Sequence, residues 1–315
     1  MRLHKKSIGF LTALLSILML LAACGNTSDT DKSKTEPAKE KTLTDAMGKV
    51  TIPADTKNIL APYMEDSLVA LGITPAAQWS IGASVLDYLQ KDLKDVPKIS
   101  WDLPLEQTIE ANPDLIIFSS SASIQKGQYE EYKKIAPTYV FKNEDSSDWK
   151  KQLEIMGQIT GKEKEAKDKL AEYQEKTKKA SEDIKQAIGS QSAAMIWIAG
   201  DQYYLFESTR FAGNVLYGDL GVAQPEMVKK LPVPKASWQP LSLESLSELD
   251  ADHLFLISKP GETGLKKLQQ SSVFKGLKAS KQGNVYNMED PSHWTINGVI
   301  ANELTIDQIT TSLTK

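Results

Sequence analysis

Residues 162–188 read KEKEAKDKLAEYQEKTKKASEDIKQAI, with Gly161 just before them and Gly189 just after. No proline or glycine interrupts the run, and the flanking glycines suit helix ends. The less polar positions Ala166, Leu170, Tyr173, Thr177, Ala180, Ile184 and Ile188 recur at steps of three and four. Such spacing places them on one helical face. At 1.5 Å per residue the helix spans roughly 40 Å. Lys and Glu cover the rest, with i,i+4 pairs expected at Glu163–Lys167 and Glu172–Lys176. The stripe is short and much of it is Ala or Thr, which is poor material for a coiled-coil seam. A helix lying against its own protein is therefore expected. Strand-like apolar runs alternate with amphipathic segments on both sides of it. That pattern points to two α/β lobes tied by a stiff rod.

The N-terminus indicates the compartment. Arg2, Lys5 and Lys6 form a basic start, 10–21 is almost wholly apolar, and Leu21-Ala22-Ala23-Cys24 follows. This is the pattern of a secretory signal, and the apolar run is short for a membrane span. The last four residues resemble the lipobox of bacterial lipoproteins. That resemblance implies lipidation of Cys24 as the first mature residue. Cys24 is the only cysteine, so no disulfide, thiolate metal site or cysteine nucleophile is expected. Gly25 to Lys41 is polar and reads as a flexible tether. The whole chain carries 37 Lys plus Arg against 41 Asp plus Glu, and loss of 1–23 makes it more acidic still. That balance argues against nucleic-acid binding.

Along the first half, Thr44–Ile52 suggests a small hairpin, Asn58–Ala61 a strand, Met64–Leu71 a helix and Ile73–Trp79 a strand. Leu103–Ala111 is predicted as a helix, Leu115–Phe118 as a buried parallel strand, and Trp149–Ile159 as the helix that runs toward the rod. Ser119, Ser120 and Ser121 follow the buried strand directly. Ligands gather at strand carboxyl ends in open α/β sheets, so these serines are site candidates; capping the next helix is their other role. In the second half, strands are expected at Ala193–Ala199, Tyr203–Phe206, His253–Ile257 and Val285–Met288. Helices are expected at Asn214–Leu220, Leu241–Leu249 and Gly298–Leu313. Pro225–Gln239 reads as a long loop, a kind that is often functional.

Residues 103–118, LPLEQTIEANPDLIIF, echo 241–256, LSLESLSELDADHLFL. Leu103, Leu105, Glu106, Glu110 and Asp114 align with Leu241, Leu243, Glu244, Glu248 and Asp252. One such unit on each side of the rod suggests pseudosymmetric lobes. Glu106 and Glu244 both stand at predicted helix starts, where the dipole favours a carboxylate. One glutamate per lobe could also dock two symmetric basic patches on a partner.

Enzyme signatures are missing: no HExxH, P-loop, Gly-x-Gly-x-x-Gly or Gly-x-Ser-x-Gly occurs. Only His4, His253 and His293 are present. A binding function without catalysis is expected. Arg210 is the only arginine after Arg2, and its planar fork suits oxygen ligands; an ordinary salt bridge is the alternative. Tyr203, Tyr204, Phe206, Trp238, His293 and Trp294, with Trp79 and Trp101 from the first half, could line an aromatic cleft between the lobes, though several of them would suit the core equally well.

Ile109–Ile116 (IEANPDLI), Leu216–Gly221 (LYGDLG) and Leu243–Leu246 (LESL), with the lipobox and the rod, make the chain resemble the iron-siderophore binding lipoproteins of Gram-positive ABC importers. The likeness covers about residues 43–315. It implies two three-layer α/β/α lobes joined by one long backbone helix, as in class III substrate-binding proteins of the helical-backbone metal-receptor type. It implies a signal peptide at 1–23, a lipidated cysteine and tether at 24–42, an N-terminal lobe at 43–160, an interlobe helix at 161–189 and a C-terminal lobe at 190–315. By the same resemblance, Glu106 and Glu244 match positions that pair with permease arginines. Arg210 fits the arginine that approaches the iron-ligating oxygens, and Trp294 and Tyr204 are the next candidates for walls. The siderophore fills the Fe(III) octahedron itself, so no protein ligation of iron and no cofactor is expected. The implied partners are a ferric siderophore and a membrane permease with its cytoplasmic ATPase, and the protein is expected as a lipid-anchored monomer on the extracytoplasmic face.

By analogy with that family, where highly anionic chelates are met by several basic groups, the scarcity of arginine favours a neutral or weakly charged hydroxamate chelate. Citrate or citrate-hydroxamate chelates are the close alternative, with heme and cobalamin behind them. Two readings of other classes predict different sites. A free metal-ion receptor needs converging His, Asp or Glu ligands. An extracytoplasmic hydrolase needs a nucleophile and base, for which Ser119–Ser121 with His293 is the available set.

Overall fold

The structure is a computed structural model, and it describes residues 40–232 and 237–315. The expected signal, Cys24 and nearly all of the expected tether lie outside the described residues, as do His4 and Pro234 of the long loop. Strand β1 (Lys41–Asp45) begins within the expected tether and pairs antiparallel with β2 (Gly48–Ile52), so the hairpin forms. The chain then builds two α/β lobes.

In the first lobe, β3 (Ile59–Leu60), β6 (Leu115–Phe118) and β7 (Thr138–Val140) form a parallel sheet in the order β3-β6-β7. Every residue of β6 is buried, as its unbroken apolar run requires. The strands β4 (Gln78–Ser80) and β5 (Lys98–Ser100) make a separate parallel pair. The expected strand Ile73–Trp79 therefore shrinks to its last residues. Gly72 is left-handed at φ 72° and Pro75 lacks an amide donor, so the stretch before Gln78 stays irregular.

The second lobe holds β8 (Ala193–Ala199), β9 (Gln202–Leu205), β10 (His253–Ser258) and β11 (Val285–Met288), ordered β11-β10-β8-β9. β10 is buried throughout and pairs parallel with both β8 and β11, while β9 closes the edge antiparallel. Thr263–Gln270, a helix absent from the sequence reading, packs on β8. Two other expected helices differ. Asn214–Asp219 is a π-helical turn. Leu241–Leu249 contains only the 3₁₀ turn Ser245–Glu248. There Leu241 donates its amide to Tyr203 O at 2.8 Å, extending β9, and Ser242 Oγ accepts from the Ser245 amide at 3.1 Å. Those bonds divert the backbone from a helix.

The rod forms as Glu163–Ile188. Ala166, Tyr173, Ala180 and Ile184 are buried, with Leu170 and Ile188 packed alongside. The apolar stripe is thus covered by the protein's own helices, Trp149–Thr160 and the closing helix Val299–Leu313. Gly161 ends the first of these in a left-handed conformation, φ 70°, and Gly157 lets it approach closely: an added Cβ there would lie 2.8 Å from Ala166 Cβ. Tyr173 joins the two sides of the rod. Its ring meets Trp149 at 4.8 Å and its hydroxyl donates to Asp219 at 2.6 Å. The expected pairs Glu163–Lys167 and Glu172–Lys176 do not form. Glu163 turns to Lys41, Lys176 reaches Asp307 on the closing helix, and Glu172 takes Lys169. Partners across the tertiary contact and at i,i+3 win over the i,i+4 choice.

The closing helix also packs on Glu65–Ala70 of the first lobe. Asp66 accepts the amides of Ile300 and Ala301 at 3.1 and 2.9 Å, satisfying two donors of its first turn. Gly298 makes room for that carboxylate, which any Cβ at this position would strike.

Candidate functional site

A cleft of ≈ 490 Å³ opens between the lobes. Its lining comes largely from segments that follow strands, as expected for parallel sheets. Tyr63 follows β3, Trp79 sits in β4 and Asp87 lies beyond it. Trp197 is in β8, Lys259 follows β10, and Pro291 to Thr295 follow β11. Arg210, Phe211 and Trp238 complete the second-lobe wall. Tyr63 and Phe211 are left-handed, at φ 64° and 46°. Bulky residues rarely adopt this conformation, and strain of this kind gathers at ligand sites.

The walls are aromatic on both sides. Tyr63 and Trp79 lie 5.0 Å apart on the first lobe. On the second, Trp197 meets Trp238 at 5.2 Å and Tyr204 at 5.1 Å. Arg210 lies over the Trp238 ring at 4.7 Å, a cation–π geometry. Its Nε donates to Glu207 Oε2 at 2.9 Å and its Nη2 to Glu207 Oε1 at 3.3 Å. Both side chains are buried. The fork is therefore held in one plane against an indole and fixed from behind by a carboxylate. Across the cleft, Lys259 Nζ stands 3.4 Å from Asp87 Oδ2. Tyr63 Oη donates to Thr295 O at 3.3 Å, and the Tyr88 amide donates to Ser292 Oγ at 3.2 Å. These bonds stitch the lobes together along the cleft.

One wall rests on an unusual carboxyl group. Glu65 is fully buried, and its Oε1 accepts the Trp79 amide at 2.7 Å. Its Oε2 has no hydrogen-bond partner among the described residues. Burial pushes its pKa up to about 7, against the pull of the Trp79, Glu65 and Tyr63 amides and with a push from Asp66. A carboxyl whose folded pKa is raised stabilises the fold fully below its unfolded value, and that stability is lost as pH rises through the folded one. Unfolding free energy should therefore fall between about pH 4.5 and 7 by roughly 3 kcal/mol from this group. Glu65→Gln should flatten that fall in urea titrations run at several pH values; an identical slope in both proteins would refute the assignment.

Of the residues expected in the cleft, Arg210, Trp238 and Trp79 line it. Others require correction. Trp294 is fully buried, 5.9 Å from Phe255, and belongs to the core. Tyr203 is buried and donates its hydroxyl to Gly264 O at 3.0 Å, because alternation along β9 turns it to the opposite face from Tyr204. Tyr204 stands behind the wall, against Trp197 and Trp238. His293 is buried beside Tyr88 and Trp294, its Nδ1 3.7 Å from Asp290. Ser120 donates its amide to Ser123 Oγ at 3.2 Å, so it serves a turn and does not line the cleft. The serines and His293 thus have separate neighbours and form no nucleophile–base pair. His253 is structural, bonded to Tyr286 and Gln191, with its pKa lowered chiefly by burial. Among the described residues no group of three or more His, Cys, Asp or Glu could hold a metal, and no helix is long and apolar enough to cross a membrane. Glu106 and Glu244 are exposed, one on each lobe.

A family model described as periplasmic binding protein matches residues 60–291. The chain belongs to the periplasmic binding protein family. It is 27% identical to the iron(3+)-hydroxamate-binding protein YxeB of Bacillus subtilis, over 99% of this chain and 98% of that one. The fold is that of a Bacillus subtilis FhuD fold-family protein, a binding component of a Fep/Fec-like ferrichrome ABC transporter. The two share 26% identity and a TM-score of 0.71 over 87% of this chain and 100% of that one. Staphylococcus aureus SirA, solved with staphyloferrin B, is equally similar at 26% and 0.71, covering 87% and 98%. In this periplasmic binding protein the sequence reading missed Tyr63, Trp197, Phe211, Asp87 and Lys259. The strand-end rule that nominated Ser119–Ser121 applies equally to Tyr63 after β3 and Lys259 after β10. Trp197 carried no such signal, being embedded in an apolar strand.

Proposed function

We propose that the protein captures a ferric siderophore, of hydroxamate type, in the interlobe cleft and delivers it to an ABC permease. The observation that carries this reading is an aromatic cleft with balanced charge. Among the described lining residues, Arg210 is offset by Glu207 and Lys259 by Asp87. A neutral or weakly charged chelate with an apolar periphery matches such walls. Polyanionic citrate or catecholate chelates call for an excess of cations. A pocket with apolar walls and a few placed polar groups is the usual form of a small-molecule site. Arg210, held in plane, would donate to the iron-ligating oxygens, and Trp79, Tyr63 and Trp238 would pack the periphery. The protein would not ligate iron. Tryptophan quenching with ferric desferrioxamine, ferrichrome, schizokinen, citrate, a catecholate, heme and cobalamin tests this reading; failure to bind any ferric chelate would sink it.

The rod, packed against Trp149–Thr160 and the closing helix, would limit lobe closure, so the cleft would be largely preformed in the manner of class III receptors. The reading further includes cleavage after residue 23, lipidation at Cys24 and action as a monomer on the outer face of the membrane. Glu106 and Glu244 would dock permease cations, since both are exposed and neither makes an ion pair within the described residues. Changing both to glutamine should impair cellular iron-chelate uptake while affinity in solution stays unchanged. Loss of affinity in solution would show that they serve the cleft and not the permease.

A further inference from the structure

Lys259 and Asp87 come from opposite lobes and meet across the cleft. Lys259 follows β10 directly, where the strand's end aims it at the cleft, and Asp87 opens the short 3₁₀ turn Asp87–Leu89. Their charged atoms stand 3.4 Å apart and both side chains are about half exposed. An ion pair at this exposure contributes little to stability. Its effect on a ligand is different in kind. Among the described residues, the other charged side chain lining the cleft is Arg210, which is paired with Glu207 behind the wall. Among these described groups, whether Lys259 is matched therefore decides whether they sum to no net charge or to one positive charge. The pair also spans from one lobe to the other, so a ligand held between the lobes lies near it.

We propose that Asp87 is a specificity-determining residue: by holding Lys259 across the cleft it cancels the lysine's charge and biases the site against anionic chelates. The proposal rests on the reading that the cleft takes a ferric chelate. An anion approaching the wall competes with Asp87 for the ammonium and is repelled by the Asp87 carboxylate. A cation meets the reverse. Removing the carboxylate leaves the lysine without this partner and shifts the potential of the wall by one unit. Two ligands that differ by two charges should then separate by about tenfold at low ionic strength, the effect of one charge on them at roughly 8 Å in a wet cleft.

The test measures the affinities of ferrioxamine B (cationic), ferrichrome (neutral) and ferric citrate (anionic) by tryptophan quenching, at low and high salt. In Asp87→Asn the ratio of citrate to ferrioxamine B affinity should rise about tenfold over wild type, with ferrichrome between the two, and the shift should shrink as salt screens the charge. Lys259→Gln should move the ratio the other way. The exchanged pair Asp87→Lys with Lys259→Asp should bring it back toward wild type, an outcome that loss of packing would not produce. If Asp87→Asn changes all three affinities by one common factor, or changes none, the proposal is overturned while chelate binding itself stands. If wild type binds none of the three, the reading beneath the proposal fails, and the proposal fails with it.

Discussion

Glu207→Ala is expected to lower the unfolding free energy by about 3–5 kcal/mol, the cost of removing one partner from a buried ion pair. Arg210 and Glu207 are both buried, and the carboxylate receives two of the guanidinium nitrogens. Once the carboxylate is gone, a desolvated cation stays beneath Trp238. The guanidinium also loses the two bonds to Glu207 that help hold its plane, so chelate affinity should fall by more than tenfold. Denaturant titration and tryptophan quenching read the two effects separately. Arg210→Met with Glu207→Leu supplies the contrast: replacing both charges with apolar groups should recover most of the stability and none of the affinity. If the double variant binds chelate as wild type does, Arg210 has no part in recognition.

Gly298→Ala is the second large effect. The new Cβ would fall within contact of all three atoms of the Asp66 carboxylate, which is fully enclosed and bonded to the Ile300 and Ala301 amides and to Tyr88 Oη at 2.9 Å. Nothing there can give way cheaply. Overpacking costs about 1–3 kcal/mol, and displacing Asp66 from the helix start adds about 1–2 kcal/mol. A total loss of about 2–5 kcal/mol is expected in urea unfolding. Tyr88 also donates its amide to Ser292 at the cleft, so a several-fold loss of chelate affinity should accompany it. A variant as stable as wild type would show that this junction tolerates a shift that its close packing argues against.

The rod, the hairpin and the apolar strands were readable because each rests on local periodicity: threes and fours along 162–188, unbroken apolar runs at 115–118 and 193–199. The Leu241–Leu249 helix failed because its backbone bonds go to β9, a partner remote in sequence. The echo between the lobes is real in its strands, since β6 and β10 are both buried centres of parallel sheets. It does not extend to equal helices. At the site, Arg210 stood out by its rarity and Trp79 and Trp238 by type. The same logic chose Trp294, which the core claims. Residue type cannot tell a wall from a core when both want a large ring. Asp87 and Lys259 were invisible for the opposite reason. Each is an ordinary surface charge until the lobes bring them within 3.4 Å. Glu65 carries no local signal in the sequence, and only burial makes it unusual.

Chelate capture in the cleft rests on walls that are aromatic and charges that cancel. Its most direct test is the dissociation constant of a neutral ferric trishydroxamate, ferrichrome, measured by tryptophan quenching at low and at high ionic strength. Cancelled charges and a neutral ligand leave little for salt to screen, so saturable binding whose affinity changes by less than about threefold is expected. Absence of quenching by ferrichrome, together with tight binding of ferric citrate that weakens steeply as salt is added, would contradict it.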